Sequence, residues 1–551
     1  MATSIELAPD YYLTNFRTLV DFVVSRYTQL LSTSELSFYR LFCELDADSQ
    51  RLYVRLLSRK GVPSSAGALF REGKLSYQEI NKLPEAVDSL CSAGLLIRNP
   101  PLQDPALLPL FTKAELFAAG PVGLSKSLKR MELEEALLAS STEWREQLMA
   151  EEGLLALQGA EYFQTFKLCF FGNLNQDLTD YVLRDLGLYR YESYTLDRHQ
   201  LPFQSREQIK QYLLYYDCLE QAEEVLASGA SEILDLASQL PIGLPGDLTL
   251  TRRVDRLRLK LARQLERLDQ LEAADSLYRD CGQPPARVRR ARIAVKRGNP
   301  ELALCLCREI LDSPLNEAER CFAERFGYRT AKRMDSTQNW ANPQPCQPQL
   351  EVFALPQSPK RVEIQTALEL ACREEGVCHY VENSLFNGVL GLYIWDILFA
   401  PIPGAFYNPF QIAPSDFRTP HFYMSRHAQF EQRLTELSPS ALKRRVMETY
   451  REKLGIANPL VAWEALSLEL LELALDRIPV EHWRSLFQRL LGDITHHRNG
   501  LPDLILFPDK GGYELVEVKG PGDRLQQNQQ RWLTFFAAQN IPHRVIHVEW
   551  L

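Results

Sequence analysis

The chain has 551 residues, of which 45% are hydrophobic and 24% are charged. These values are typical of a globular protein with room for about three or four domains, and they exclude a disordered or fibrous chain. No apolar run reaches about 18 residues, and no basic segment precedes an apolar stretch at the start, so we expect neither a transmembrane helix nor a signal peptide. The formal net charge of −9 describes the whole molecule and leaves room for local basic patches.

Residues 1–105 are predicted to form an N-terminal helical region that resembles a winged helix. Amphipathic patterns over 35–45 and 49–58 favour helices. A further helix ends at Gly94, a residue type common at helix C-caps, and the apolar residues 95–97 then take the place of the first wing strand. A role in DNA contact and a purely structural role are both open for this region.

Residues 106–200 are predicted to form a SAP-like DNA-binding region and a connector. Two short helical patterns, 107–116 and 124–137, resemble a helix–extended–helix element, and Lys126, Lys129 and Arg130 lie near the start of the second. Cationic side chains at this place would bind phosphates without reading the base sequence. The alternative is a solvated basic face on an ordinary helix.

Residues 201–335 show weak internal similarity. The stretch 265–279 can be laid over 294–308, which aligns Glu272 with Glu301 and Ala274 with Ala303. Small residues at helix contacts, followed by large apolar ones a turn later, resemble a degenerate tetratricopeptide (TPR-like) array. Such repeats leave protein partners possible.

The same region carries a local excess of positive charge. Residues 252–297 contain 14 Lys or Arg against 6 Asp or Glu. One interpretation is a basic groove that guides duplex DNA. The other is a set of solvated helix faces with partners one turn away. The residues predicted to contact DNA here are Arg252, Arg253, Arg256, Arg289, Arg290 and Arg292.

A linker is predicted over 336–360, which is rich in Asn, Gln and Pro, and an α/β domain over 361–551. Within that domain, two short apolar runs, 504–507 and 513–518, flank turn residues and predict a β-hairpin. Strand alternation puts Glu517 and Lys519 on one face, and Asp503 at the mouth of the first strand can reach them. Two carboxylates and a lysine predict a site for a divalent cation and an anionic substrate, whereas the alternative is a surface ion pair.

These residues carry a family resemblance. Pro502-Asp503 followed by Glu517-Val518-Lys519 resembles the PD-(D/E)XK nuclease signature, and the extended strings 500–503, 516–525 and 529–532 resemble the VRR-NUC domain. The wider chain is similar to the Fanconi-associated nuclease family, in a bacterial form, most strongly over 362–551. The resemblance implies a multidomain, mainly α protein with a C-terminal restriction-endonuclease-like α/β domain that contains a mixed sheet.

The resemblance also implies the site residues. Glu382, Asp503, Glu517 and the carbonyl of Val518 would hold Mg²⁺ or Mn²⁺, and Lys519 would act on the attacking water and the phosphate. Gln529 would support the site. Independently of the resemblance, His496, His497 and Arg498 lie just upstream of Asp503, where they could contact phosphate. Around Glu382 the sequence departs from the family pattern, because Asn383-Ser384 replaces a more glycine-rich stretch.

The activity implied is that of a structure-specific DNA nuclease that cuts near 5′ flaps, degrades strands 5′ to 3′ and acts in interstrand crosslink repair. Its partner would be branched or flapped double-stranded DNA, with no membrane. Eleven cysteines without a C-x-x-C pair favour a reducing cytoplasm, which in a bacterium includes the nucleoid. Two alternatives are open: a sequence-specific restriction-type endonuclease, and a catalytically inactive scaffold that binds branched DNA.

Overall fold

The structure is a computed structural model that describes residues 8–59, 61–140, 143–150, 153–178, 190–336, 340–342 and 348–551. The chain divides into two compact units, Met1–Leu188 with Pro202–Leu213, and Tyr189–Leu201 with Leu214–Leu551. Within the described residues, no helix combines the length and the apolar character that crossing a membrane requires.

The first unit is helical with a small antiparallel sheet of order β1-β3-β2. Gly94, at φ 72°, ends the fourth helix and leads into β2, which confirms the predicted step from helix to strand. The core is aromatic, with Phe16 packed against both Phe42 and Phe163. The elements are α1 (Tyr11–Tyr27), α2 (Thr33–Glu44), α3 (Ala47–Ser58), β1 (Ala68–Arg71), α4 (Leu83–Ser92), β2 (Leu96–Arg98), α5 (Asp104–Leu107), α6 (Lys113–Ala119), α7 (Arg130–Leu138), α8 (Glu143–Ala150), β3 (Leu154–Leu157) and α9 (Ala160–Phe171).

A run of helices follows. They are α10 (Arg206–Val225), which contributes to both units, α11 (Ala230–Gln239), α12 (Leu248–Arg267), α13 (Leu271–Arg279), α14 (Ala286–Lys296), α15 (Pro300–Asp312) and α16 (Glu317–Arg333). The two aligned sequence stretches contain α13 and the first nine residues of α15, and their alanines Ala274 and Ala303 are fully buried where neighbouring helices pack. This confirms the packing expected of helical repeats.

The remaining elements form the C-terminal α/β region. They are β4 (Leu350–Leu355), α17 (Val362–Arg373), β5 (Gly376–Tyr380), α18 (Leu385–Tyr393), α19 (Trp395–Leu398), α20 (Pro420–Met424), α21 (His427–Thr435), α22 (Pro439–Lys453), α23 (Leu468–Arg477), α24 (Val480–Gly492), α25 (Ile494–His497), β6 (Leu504–Pro508), β7 (Glu514–Lys519), α26 (Gln527–Ala538) and β8 (His543–Trp550). Single 3₁₀ turns occur at Glu72–Lys74, Leu108–Leu110, Arg198–Gln200 and Trp463–Ala465.

The five strands form one mixed sheet of order β4-β8-β7-β6-β5. β8 is parallel to both β4 and β7, whereas β5, β6 and β7 are antiparallel, so the predicted hairpin and mixed sheet are confirmed. Alternation along β7 buries Leu515 in the larger core and Val516 and Val518 in the smaller one, beside α17. β4 lies inside the stretch 336–360 that composition assigns to a linker, so the sheet begins within that stretch.

Candidate active site

Strand pairing brings the backbones of Glu382, Asp503 and Glu517 together at one end of the hairpin. Leu504 pairs with Val516, which brings Asp503 opposite the last residues of β7. The backbone N–H of Val518 donates to Asp503 Oδ2 at 2.9 Å. The carbonyl of Asp503 in turn accepts from the backbone N–H groups of Val381 at 2.8 Å and Glu382 at 3.2 Å. The sheet therefore fixes the backbones of Asp503 and Glu382 against each other.

Glu517 and Lys519 form an ion pair, with Nζ 2.8 Å from Oε1. Both side chains are buried, at 1% and 7% exposure for the residues, which excludes a solvated surface pair. Gln529, on α26, donates from Nε2 to the same Glu517 oxygen at 2.5 Å. Buried charges of this kind are unfavourable for folding unless they are paired, and they concentrate at functional sites.

When no cation is present, the carboxylates of Asp503 and Glu517 both bind a proton more tightly than solvated carboxylates do. Burial raises the pKa of Asp503 to about 6, against the lowering effect of the Val518 N–H and Lys519. Burial and the negative charge of Asp503 raise the pKa of Glu517 to about 8. A divalent cation between these oxygens would offset the same repulsion, so the donor chemistry fits a hard metal ion.

Glu382 differs from the other two carboxylates because another group of the protein holds it. Its Oε2 accepts a hydrogen bond from the hydroxyl of Tyr380. Among the described residues, no three His, Cys, Asp or Glu side chains already converge at metal-binding distance. The backbone ties place Glu382 beside Asp503, and its side chain is the part that a bound cation would recruit.

Comparison with known proteins identifies the family. Residues 437–550 match the VRR-NUC domain model and residues 10–97 match the model described as the FAN1 HTH domain. A Fanconi-associated nuclease 1 homologue of Pseudomonas aeruginosa is 37% identical, over 98% of this chain and 96% of its own length. The chain belongs to the Fanconi-associated nuclease family.

Other members extend this similarity. The human Fanconi-associated nuclease 1 is 25% identical over 98% of this chain, which spans 62% of the human protein. A crystal structure of paFAN1 bound to DNA with a two-nucleotide 5′ flap and a gap matches with a TM-score of 0.85, 35% identity and 99% coverage of each chain. Membership of this nuclease family implies dependence on a divalent metal, in agreement with the donor chemistry of the carboxylate site.

The structure also brings three residues to this carboxylate site that the sequence did not predict. Tyr380 contacts Glu382, Arg361 donates to the Tyr380 hydroxyl at 3.0 Å, and the negative charge of Glu363 adds to the raised pKa of Asp503. A sequence signal existed for Tyr380. Alternation along β5 and just beyond it puts residues 378, 380 and 382 on one face of the sheet.

The histidines near Asp503 bind protein groups. His496 Nδ1 lies 2.8 Å from Asp493, whose hydrogen bond raises the histidine pKa. His497 lies between the carbonyl of Arg489 and the carboxylate of Glu317, at 2.6 and 2.9 Å. Arg498 is different: its pKa is lowered by burial and by the charge of Arg418, and it forms no ion pair with any residue that the structure describes.

The predicted basic groove divides into paired and unpaired arginines. Arg289 pairs with Glu266, and Arg290 Nε lies 3.1 Å from Asp275, so both link neighbouring helices. Arg253 donates to the Tyr216 hydroxyl at 2.9 Å, and Arg252 donates to the Leu248 carbonyl at 3.1 Å. Thus part of the positive charge serves the packing of the helices.

Arg256 and Arg292 form no ion pair with the described part of the chain. Arg256 is exposed, and Arg292 lies 5.0 Å over the Phe322 ring. Arg292 lines a cavity of about 530 Å³ together with Arg325, Arg329 and Arg531. Burial and the charge of Arg289 lower the pKa of Arg292, as expected where cations gather.

In the first unit, Lys126 and Lys129 are exposed ahead of α7. Arg130 is held by Glu134 at 2.7 Å and by the carbonyl of Leu108 at 2.9 Å. Two of the three predicted phosphate contacts in this region therefore have solvated side chains, and the third has a structural partner.

Proposed function

We propose that the protein is a structure-specific DNA nuclease that uses Mg²⁺ or Mn²⁺ to cut near 5′ flaps and to degrade strands 5′ to 3′ in interstrand crosslink repair. Its place would be the cytoplasm, at the nucleoid. The observation that carries the proposal is the buried ion pair of Glu517 and Lys519 beside the half-buried Asp503, with Glu382 tied to Asp503 through the backbone. The flap DNA in the paFAN1 structures supports the choice of substrate.

Glu382, Asp503, Glu517 and the Val518 carbonyl would hold the cation. A cation bound there supplies Lewis acidity at the scissile phosphate. Lys519, fixed by Glu517, would orient the attacking water and offset the negative charge that develops on the phosphate. Gln529 would keep Glu517 in its orientation. Because Glu517 and Lys519 are buried, their charges act more strongly on a bound cation and phosphate than they would in water.

Binding of the duplex would rest on phosphate contacts. Arg256, Arg292 and Arg498 support this, since each is without an ion pair among the residues that the structure describes. The exposed Lys126 and Lys129 would add contacts. The remaining arginines predicted to contact DNA are Arg130, Arg252, Arg253, Arg289 and Arg290, which all have protein partners. Protein partners through the helical repeats stay a prediction.

The test is cleavage of a labelled 5′-flap duplex in Mg²⁺ or Mn²⁺, beside a plain duplex of the same sequence. We expect metal-dependent incision near the junction of the flap substrate. Asp503→Ala and Lys519→Ala are each expected to lower the rate by at least about a hundredfold and to retain binding. Equal cutting of the plain duplex would favour a restriction-type endonuclease. Flap binding without any metal-dependent product would favour the inactive scaffold.

A further inference from the structure

A short hydrogen-bond relay leads from the solvent to Glu382. The Arg361 side chain, which is largely exposed, donates from Nη2 to the Tyr380 hydroxyl at 3.0 Å, and its guanidinium lies 4.8 Å from the centre of the Tyr380 ring. The Tyr380 hydroxyl contacts Glu382 Oε2. Neither Arg361 nor Tyr380 was among the residues that the sequence predicted.

The direction of this relay follows from the donor and acceptor chemistry. A guanidinium carries donors only, and an ionised carboxylate accepts only. The single proton of the Tyr380 hydroxyl therefore points to Glu382, while an oxygen lone pair accepts from Arg361. Because both neighbours are charged, both hydrogen bonds are charge-assisted and stronger than neutral ones.

The backbone around Glu382 is already fixed. The N–H groups of Val381 and Glu382 both donate to the Asp503 carbonyl, and the Ser384 N–H donates back to Val381 at 2.7 Å. Asn383 adopts a left-handed conformation with φ 54°, and its side chain accepts from the Leu501 N–H at 3.1 Å. What remains free is the Glu382 side chain, with three rotatable bonds, and Tyr380 is the group that restrains it.

We propose that Tyr380 is a positioning residue for the first carboxylate of the metal site, and that Arg361 orients Tyr380. The relay engages Oε2 and leaves Oε1 of Glu382 for the cation. Hydrogen bonds to metal-binding carboxylates typically change metal affinity by about 10- to 100-fold when they are removed. This inference rests on the proposed function, because it presupposes a divalent cation at Glu382, Asp503 and Glu517.

The test is Mn²⁺ binding by the full chain without DNA, measured by titration calorimetry and by the electron paramagnetic resonance signal of free Mn²⁺. Tyr380→Phe removes the hydroxyl alone, and we expect Mn²⁺ to bind about 10- to 100-fold more weakly. Arg361→Gln should weaken binding by about tenfold or less, because it acts one step further away. A flap-cleavage assay should show that excess Mn²⁺ restores the maximal rate of Tyr380→Phe.

Tyr423→Phe is the matched control, since the Tyr423 hydroxyl also donates to a glutamate, Glu431, in a helical part of the domain. It should bind Mn²⁺ like the wild type, and the Tyr380, Arg361 and Tyr423 variants should unfold at temperatures similar to that of the wild type. Asp503→Ala distinguishes a failure of the positioning role from a failure of the proposed metal site. If Asp503→Ala loses Mn²⁺ while Tyr380→Phe binds it as well as or better than the wild type, the positioning role is overturned. If Asp503→Ala also binds normally, the proposed metal site itself is wrong.

Discussion

At the scale of a single residue, the ionised carboxylate of Asp503 lowers the stability of the folded protein when no cation is bound. Burial and the negative charges of Glu382 and Glu363 disfavour its ionised form, whereas the hydrogen bond from the Val518 N–H and the charge of Lys519 favour it. Burial therefore raises its pKa to about 6, well above the value of about 4 expected in the unfolded chain. At neutral pH the folded carboxylate is ionised, but ionisation costs more free energy in the folded state than in the unfolded chain.

We expect Asp503→Asn to stabilise the metal-free protein at pH 8 by about 1–3 kcal/mol. The amide oxygen keeps the hydrogen bond from Val518 and carries no charge. Between pH 4 and 6 the folded wild type binds more protons than the unfolded chain, so its stability falls as the pH rises. The advantage of the variant should thus be absent below about pH 4 and complete above about pH 6.5.

The measurement is thermal unfolding in EDTA at pH 5 and pH 8. Asp509→Asn, in the exposed turn that joins β6 to β7, is the control and should leave the midpoint unchanged at both pH values. A lower midpoint for Asp503→Asn at pH 8 would contradict the view that the ionised carboxylate is destabilising.

At the scale of elements, α26 has one residue, Gln529, that both caps the start of the helix and contacts the carboxylate site. The Gln529 side chain accepts from the backbone N–H of Gln526 at 2.9 Å and donates to Glu517 at 2.5 Å. Gln529→Ala is therefore expected to slow flap cleavage by about 10- to 100-fold and to lower the stability by about 1 kcal/mol. Gln530→Ala, one residue further along the helix, should leave cleavage rates within about twofold of the wild type. Equal rates for the two variants would show that Gln529 only caps the helix.

The arginines of α14 allow a second prediction at this scale, because two of them differ in partners. Arg292→Glu should weaken flap binding and reduce the slope of log affinity against log salt by about 1, with little change in stability. Arg289→Glu places a carboxylate against Glu266 and should lower the unfolding temperature instead. Binding across a salt series and thermal unfolding of both variants check this. Equal salt slopes for the wild type and Arg292→Glu would remove Arg292 from the DNA interface.

The sequence predicts an element well when the residues that determine it lie close together in the chain, and poorly when its partner lies far away. The hairpin of β6 and β7 was predictable, because alternation and turn residues lie within a short stretch of chain. β4 was not, since its partner β8 lies almost the whole domain away and its proline-rich surroundings resemble a linker. The same limit applies to the arginines: sequence shows the charge of Arg289 and Arg292, but only packing shows that one has Glu266 as a partner.

At the scale of the whole second unit, Glu317 joins the last repeat helix to the nuclease domain. Its carboxylate is 3.1 Å from Arg489 Nη2 and 2.9 Å from His497 Nε2, and its side chain is 13% exposed. The Arg489 guanidinium in turn lies 4.8 Å over the Trp532 ring, on the helix that carries Gln529. Glu317 thus contacts His497, shortly before Asp503 in the chain. Through Arg489 it is also connected to α26, the helix whose Gln529 holds Glu517.

Glu317→Gln should lower the stability of this unit by roughly 3 kcal/mol at pH 7, because it leaves the buried Arg489 without its counter-charge. Although burial favours the neutral acid, the hydrogen bond from His497 and the charge of Arg489 lower the pKa of Glu317 to about 2. A lowered pKa stabilises the fold above the unfolded value, and that stability is lost as the pH falls toward the folded value. The difference in unfolding free energy between wild type and variant should therefore shrink by about 1 kcal/mol from pH 7 to pH 4.

Denaturant unfolding at the two pH values measures this difference. The control is Asp476→Asn, in the exposed ion pair with Lys443, which should change the stability by less than about 0.5 kcal/mol. A gap that stays constant or widens toward pH 4 would mean that the ionised form of Glu317 does not join the repeats to the nuclease domain.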